Sequence, residues 1–396
     1  CDYYDNVEYL SLIELEENMK LIELKVTKLF GILDYHIKFD SSEILIITGP
    51  NGYGKTVLLN IINSILTNDL SYFYDLKFNS IELNFSEFNI KINKFEGSFV
   101  VKINDVQEPL NYLGNLLNKY IRPNHSSRLS YYKNMSCIFI KDQRVSGDKD
   151  LIRECALELC GFMSNAQASY AKIAFELDSD FLLRLSNSIN ERTNTSIDSL
   201  EQRLIGVQNR LSKYSNYRLV PVEIIVHNSF NKGIIKNEDL VLLKLYIDDM
   251  LLKLDPIENL YVRINIFEDI INKSILSFKK IIFNRQDGFC FISDNGDKID
   301  YKLLSSGEKN QIVILFNLIF KSKGSDIVLI DEPEISLHVA WQKRFIDSIL
   351  KINKINLFEN IIISTHSPTI IGTHWDWTYD LSDQTYFPGE NGGDFK

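Results

Sequence analysis

The sequence predicts an α/β fold that combines a mixed sheet around a strand–loop–helix unit, an antiparallel β subdomain and a helical insertion. The first observation is a nearly continuous apolar run at residues 43–48, which is typical of a strand buried on both faces. The second is a series of segments in which apolar and polar residues alternate, as in half-buried antiparallel strands. The third is a helical pattern from about residue 150 to 282.

The apolar run leads into a glycine-rich loop, and apolar residues repeat at helical spacing after it. Glycines allow backbone N–H groups to point into one concave anion site, and a helix N-terminus adds positive potential. We therefore expect a phosphate-binding loop for ATP, in which Lys55 reaches the β- and γ-phosphates and Thr56 places its hydroxyl on Mg²⁺. The other residues predicted to bind the nucleotide here are Gly49, Asn51, Gly52 and Gly54.

Two later apolar strands deliver polar side chains to the same predicted edge of the sheet. Residues 327–330 precede Asp331, which is expected to hold Mg²⁺, and Glu332, which is expected to deprotonate the attacking water. The simpler interpretation is an acidic turn that ends a buried strand. His366 follows a second apolar run, and we expect it to sense the γ-phosphate, because ligands of open α/β sheets bind at the carboxyl edge.

Two further motifs complete an ordered set of five, Gln143 after an earlier strand and the pentapeptide 304–308, Leu-Ser-Ser-Gly-Glu. The set resembles the ATP-binding-cassette (ABC) ATPases of the SMC, RecF and OLD-like type, whose heads dimerise head to tail around two ATP molecules. The resemblance implies that Gln143 contacts Mg²⁺ and the attacking water. It also implies that Ser305, Ser306 and Gly307 contact the γ-phosphate bound by a second copy. Glu308, where transporter ATPases usually carry glutamine, points to the non-transporter branch. The resemblance covers about residues 19–145 and 285–380.

Within that branch, the stretches 28–31, 139–144 and 334–342 are similar to ATPases of bacterial phage-defence operons, including those of the PARIS and Septu systems. This resemblance implies an ATP-driven sensor or scaffold that controls a separate effector nuclease, of TOPRIM or HNH type, in response to a phage trigger protein. Only 30 residues follow His366, so we expect no appended TOPRIM nuclease. The alternative is a RecF- or SMC-like DNA-repair or recombination ATPase that binds DNA in an ATP-dependent way.

Composition limits the other possibilities. The net charge of −10 argues against a broadly basic nucleic-acid binder. Residues 109–140 contain no acid, and their mixture of basic and tyrosine residues fits a nucleic-acid track, a protein-binding surface or an ordinary solvated face. Five cysteines without zinc spacing and without a signal peptide predict a reducing cytoplasm. No apolar run approaches the roughly 20 residues of a membrane-spanning helix.

We predict four segments in the chain. Residues 1–18 carry six acids and no base, and form either an acidic N-terminal extension or a non-native remnant. Residues 19–149 are the N-lobe of the ATPase, 150–282 the helical insertion and 283–396 the C-lobe.

Three elements of the later segments are more specific. Apolar residues at alternating spacings of three and four over 197–214 predict either an amphipathic helix on its own lobe or a short hairpin that contacts a partner. A second helix, 240–254, should end at Asp255-Pro256. Residues 289–299 predict a hairpin by the Asn-Gly rule, leading to a helix that starts at the pentapeptide 304–308.

Overall fold

The computed structural model describes residues 20–39, 44–95, 98–108, 137–141, 151–189, 196–220, 237–322, 326–337 and 339–383. The chain divides into two compact units, the first comprising Cys1–Arg144 and Lys321–Lys396 and the second Val145–Phe320. The predicted α/β class is confirmed. No helix in the described residues is both long enough and apolar enough to cross a membrane.

The described strands are β1 (Leu21–Leu29), β2 (Leu33–Lys38), β3 (Ile44–Thr48), β4 (Ser80–Phe85), β5 (Asn89–Phe95), β6 (Ser98–Ile103), β7 (Val106–Glu108), β8 (Cys137–Ile140), β9 (Lys279–Asn284), β10 (Gly288–Ser293), β11 (Lys298–Ile299), β12 (Ile327–Asp331), β13 (Asn360–Ser364) and β14 (Thr378–Asp380). The described α-helices are α1 (Lys55–Leu66), α2 (Tyr72–Asp75), α3 (Leu151–Ile189), α4 (Ile197–Asn216), α5 (Asn237–Ile270), α6 (Ser306–Phe316), α7 (Val339–Gln342), α8 (Phe345–Asn356) and α9 (Pro368–Ile371).

The first unit contains an antiparallel sheet with the strand order β2-β1-β4-β5-β6-β7. Its apolar residues alternate with polar ones as predicted, and they form one core with α1 and the second sheet of the unit. Ile22 is an exception to this alternation. The register of β1 shifts between Leu21 and Glu23, so Leu21 is buried and Ile22 is 47% exposed. Such an irregularity turns the residues on its two sides to opposite faces.

The second sheet of the first unit is parallel, with the order β14-β3-β13-β12-β8. All residues of β12 and β13 are buried, which explains why the middle three residues of both strands are apolar. Because neighbouring strands run in the same direction, the ends of β3, β13 and β12 lie at one edge. The loops that follow these strands carry the phosphate loop, His366 and the carboxylates Asp331 and Glu332.

The helices of the second unit pack through the positions that the sequence indicated. The apolar residues predicted to line one face of α4 are buried within this unit. They are Leu200, Leu204, Val207, Leu211 and Tyr214. Arg203 of α4 bonds to Asp248 of α5 at 2.5 Å. Arg184 of α3 forms two hydrogen bonds with the buried carboxylate of Asp249.

The prediction that a helix ends at Asp255-Pro256 is wrong, because α5 continues through Pro256 to Ile270. Proline costs a helix one hydrogen bond and about 3 kcal/mol. Beyond it, however, apolar residues keep helical spacing and are buried: Ile257, Leu260, Ile264 and Phe267. Burial of these side chains, at about 1.5–3 kcal/mol each, outweighs the cost of the proline.

The predicted hairpin is confirmed in the three-stranded sheet of the second unit, ordered β11-β10-β9. Gly296 in its turn adopts φ +89°, which glycine allows without strain. The helix predicted after the pentapeptide is α6, which a π-helical turn, Asn317–Lys321, extends. The basic and tyrosine-rich stretch lies largely at 109–136, outside the described residues, and so does the segment 1–18.

Candidate nucleotide site

The phosphate loop joins β3 to α1 in the first unit. Three of its glycines adopt left-handed backbone angles, with φ +133° at Gly49, +89° at Gly52 and +87° at Gly54. Gly54 is the N-cap of α1, and it has no side chain with which to cap the first N–H groups of the helix. The Tyr35 hydroxyl donates to the Tyr53 carbonyl at 2.6 Å and so ties the loop to β2. Uncapped N–H groups at a helix N-terminus suit an anionic ligand.

The Lys55 ammonium is buried at the base of this loop. Its Nζ atom donates to the Gly49 carbonyl at 2.8 Å and to the Pro50 carbonyl at 3.4 Å. The same atom lies 3.8 Å from Glu332 Oε1. The Lys55 ammonium is therefore held by loop carbonyls and lies beside the Glu332 carboxyl, and an entering phosphate can replace these neighbours as its partner.

Asp331 and Thr56 meet where β12 ends beside the phosphate loop. The Thr56 hydroxyl donates to Asp331 Oδ1 at 3.1 Å, and the Ser364 hydroxyl from β13 donates to the same oxygen. Asp331 itself is buried. A hydroxyl and a carboxylate held together in this way are oxygen ligands of the kind that Mg²⁺ prefers, so the residues fit the predicted metal.

Glu332 has a strained backbone and a carboxyl group with a raised pKa. Its φ is +47°, in the left-handed region, and its N–H donates to the Ser364 carbonyl at 2.9 Å. Strain of this kind is concentrated at functional sites. Burial raises the pKa of the Glu332 carboxyl to about 8, and the hydrogen bond and negative charge of Glu334 add to the rise, while Lys55 opposes it. These effects favour the protonated form of Glu332 in the ligand-free protein.

His366 lies opposite Glu332 at the same edge. Its Nε2 atom is 2.9 Å from Glu332 Oε2, and its side chain is 43% exposed. His366, Glu332 and Glu334 place three potential ligand atoms within 4.8 Å of one another. Thr56 bonds to Asp331 at the end of β12, and Lys55 and His366 lie beside Glu332, the next residue. The structure therefore brings both predicted carboxyl groups, Lys55, Thr56 and His366 into one site.

The predicted signature residues belong to the second unit. Ser305 is the N-cap of α6: its hydroxyl accepts from the Glu308 N–H, and Glu308 accepts from the Ser305 N–H at 2.8 Å. Ser305 and Ser306 are exposed, and Gly307 is half-buried. Burial acts to raise the pKa of Glu308, but its bonds to Lys279 and to the Ser305 backbone lower the pKa overall. Glu308 therefore completes a capping box, and its charge adds an ion pair with Lys279 that a glutamine could not form.

Gln143 lies outside the described residues, which end at Lys141 after β8, so its role stays a prediction. The sequence analysis did not predict that two further residues, Glu334 and Gln342, make contacts at this site. Glu334 contacts both Glu332 and the His366 backbone. Gln342 bonds to the loop that follows β12, at Leu337, and to the loop that follows β13, at Ser367. Both residues stood in the motif that carried the family resemblance, but no spacing rule predicted their contacts.

Comparison with known proteins supports an ATPase. Residues 183–371 match the family model described as "AAA ATPase domain". The matched range includes the pentapeptide 304–308, Asp331, Glu332 and His366, and it begins after the phosphate loop. No curated protein matches the chain.

Solved structures similar to this chain include Smc head domains. One, with an extended coiled coil and bound to the C-terminal domain of ScpA, derives from Pyrococcus furiosus; it is 13% identical, with a TM-score of 0.42 over 89% of this chain and 91% of that one. A second, bound to the C-winged helix domain of ScpA, is 15% identical, with a TM-score of 0.41 and the same coverage of 89% and 91%. A third, with a coiled coil and joint, from Pyrococcus yayanosii, is 13% identical, with a TM-score of 0.39 over 89% and 93%.

Proposed function

We propose that this protein binds ATP with Mg²⁺ at the carboxyl edge of the parallel sheet and hydrolyses it to ADP and phosphate. The observation that carries the proposal is the meeting of the two halves of the site. The Thr56 hydroxyl bonds to Asp331, and the Lys55 ammonium lies 3.8 Å from Glu332. A phosphate loop and paired carboxylates in contact are the arrangement that phosphoryl transfer to water requires.

Each side chain has a separate task in this mechanism. Lys55 and the N–H groups at the start of α1 bind the phosphates, while Thr56 and Asp331 hold Mg²⁺. The bound Mg²⁺ supplies charge neutralisation on the phosphate oxygens. Glu332 accepts a proton from the attacking water, and His366 stands beside it on the side of β13. Because the raised pKa favours the protonated form of Glu332 in the free protein, a proton has to leave before Glu332 can act as the base.

The test is a pair of variants with different expected effects. Glu332→Gln keeps the size of the side chain and removes the base, so turnover falls by about 10²–10⁴-fold while ATP still binds. Lys55→Ala removes the phosphate ligand, so nucleotide affinity itself falls. Asp347→Asn, at an exposed position of α8, is the control and should behave as the original protein. Steady-state hydrolysis that is unchanged in Glu332→Gln would show that the base is assigned wrongly.

We further propose that the nucleotide site is shared between two copies of the chain in a head-to-tail dimer. Ser305, Ser306 and Gly307 would contact the γ-phosphate held by the partner. Support comes from the resemblance of the pentapeptide to a signature loop and from the position of Ser306. Ser306 is exposed at the first position of α6, directly after the N-cap residue Ser305.

We also infer that the ATPase controls a separate effector, a TOPRIM- or HNH-type nuclease, within an anti-phage defence complex. The motifs at 28–31, 139–144 and 334–342 and the net charge of −10 support this over the DNA-repair alternative. The purified chain should then not cut single- or double-stranded DNA or RNA with Mg²⁺ or Mn²⁺, with or without ATP. Cleavage abolished by a substitution away from the ATP site would overturn the effector proposal. ATP-dependent DNA affinity with a steep salt dependence would favour the repair alternative.

A further inference from the structure

Two loops at the nucleotide site are joined by the side chains of Glu334 and Gln342. The first loop follows β12 and contains Glu332 and Glu334; the second follows β13 and contains His366 and Ser367. Glu334 Oε1 accepts a hydrogen bond from the His366 backbone N–H at 2.9 Å. A carboxylate that accepts from a backbone N–H forms a stronger bond than a neutral acceptor does.

Gln342, at the end of α7, bonds to both loops at once. Its Nε2 atom donates to the Leu337 carbonyl at 3.1 Å and to the Glu334 carbonyl at 3.4 Å. Its Oε1 atom accepts from the Ser367 hydroxyl at 2.9 Å. One amide side chain therefore spans from the carboxylate loop to the residue that follows His366.

These bonds hold the backbones that carry Glu332 and His366, the two side chains proposed to lie beside the attacking water. The imidazole of His366 lies 2.9 Å from Glu332 Oε2, and this separation depends on where each backbone is held. The Ser364 carbonyl holds the N–H of Glu332, while Glu334 holds the N–H of His366. The recorded polar contacts of Lys55 and Thr56 do not include Gln342.

We propose that Glu334 and Gln342 are positioning residues of the ATPase reaction, which set the Glu332–His366 geometry without binding the phosphates. This inference rests on the proposed ATPase function. Displacing a reacting group by about 1 Å can cost on the order of 10²-fold in rate. Loss of the Gln342 bridge should therefore lower kcat and leave KM and ATP affinity nearly unchanged, which a residue that only supports folding would not do.

A double-mutant cycle tests the bridge. Gln342→Ala is expected to lower kcat by about 10–100-fold, with ATP affinity within about twofold of the original. Ser367→Ala should lower kcat less, because it removes only one of the bonds. The double variant should be no slower than Gln342→Ala, since both changes remove the same contact. Lys343→Ala, at the exposed neighbouring position, is the control. Unchanged kcat in Gln342→Ala, or additive losses in the double variant, would overturn the proposal.

A second measurement judges the bridge independently of hydrolysis. The His366 amide should exchange with deuterium faster in Glu334→Ala, because its acceptor is lost, and near the original rate in Glu334→Gln, which keeps an acceptor oxygen. Exchange can be followed by mass spectrometry of peptides spanning residues 364–368. Equal exchange in Glu334→Ala and the original protein would refute the contact. A protein without ATPase activity would refute the proposed function, while the exchange result would still decide whether Glu334 holds the His366 loop.

Discussion

A single carboxyl group, that of Glu332, couples the nucleotide site to the stability of the ligand-free protein. Its folded pKa is about 8, against an ordinary value of 4.5. Between these two values the folded state binds one proton more than the unfolded state does. Stability contributed by this proton is therefore fully present below pH 4.5 and is lost as the pH rises to about 8.

Glu332→Gln should remove this dependence, because glutamine does not titrate. The free energy of unfolding of the original protein, relative to the variant, should fall between pH 5 and 8 by at most about 1.4 kcal/mol per pH unit, and level off above pH 8. Urea unfolding at several pH values, in the absence of nucleotide and metal, measures this difference. Asp347→Asn, at an exposed position of α8, is the control for removal of a carboxyl group away from the site. If the free energy of unfolding of the original protein changed with pH in the same way relative to both variants, the pKa of Glu332 would not be raised in the folded protein.

At the scale of elements, Gly288 shows how closely α3 approaches β10 within the second unit. A Cβ at Gly288 would lie 1.9 Å from the Ala156 carbonyl oxygen, and φ there is +72°. A Cβ at Gly296 would have no neighbour within 4 Å at φ +89°. Gly288→Ala should therefore destabilise the protein by about 2–5 kcal/mol, and Gly296→Ala by about 1 kcal/mol through backbone strain alone. Thermal unfolding separates these cases, and equal losses would argue against the close approach.

Pro256 interrupts the backbone hydrogen bonding of α5, and burial of the apolar residues that follow it keeps the segment helical. Pro256→Ala restores a backbone donor toward the Leu252 carbonyl and removes the steric clash of the ring, so it should stabilise the protein by about 1–3 kcal/mol. Asp255→Ala, one position away, is the matched control and should change stability much less. Stability unchanged or lowered in Pro256→Ala would indicate that the helix bends there for packing reasons.

These elements show where sequence patterns were sufficient and where they were not. The strand–loop–helix unit and the β12 carboxylates were predictable because buried strands and phosphate loops depend on local residue types. The side of β1 that is exposed at Ile22 was not predictable, because a register shift between Leu21 and Glu23 reverses which face each residue lies on. The helix through Pro256 was missed because tertiary burial outweighs local propensity. The bond between Glu334 and the His366 N–H joins residues 32 positions apart, and only the parallel pairing of β12 with β13 brings them together.

At the scale of the whole molecule, the two units carry different parts of the proposed reaction. The first unit holds Lys55, Asp331, Glu332 and His366, and the second holds the exposed serines at the start of α6. If each site needs the α6 serines of a partner copy, hydrolysis requires self-association. Activity per chain should then fall on dilution below the dimer dissociation constant, because the fraction of dimer falls with concentration.

Complementation between two inactive variants tests the shared site directly. Lys55→Ala disables the phosphate loop, and Ser306→Arg disables the signature side, so each variant alone should be inactive. A mixed dimer pairs the intact phosphate loop of the Ser306→Arg chain with the intact serines of the Lys55→Ala chain. Because half of the dimers in an equal mixture are mixed and each has one complete site, about a quarter of the original activity should return.

The control for this experiment places the same bulky charge elsewhere in the second unit. Ser212→Arg, at an exposed position of α4, should retain full activity alone. No recovery in the mixture, with mixed dimers verified by affinity tags, would contradict a shared site. Full ATPase from a protein that light scattering shows to be monomeric at the assay concentration would contradict it as well. In either case one chain would have to complete its own γ-phosphate contacts, and Ser305 would serve only as the N-cap of α6.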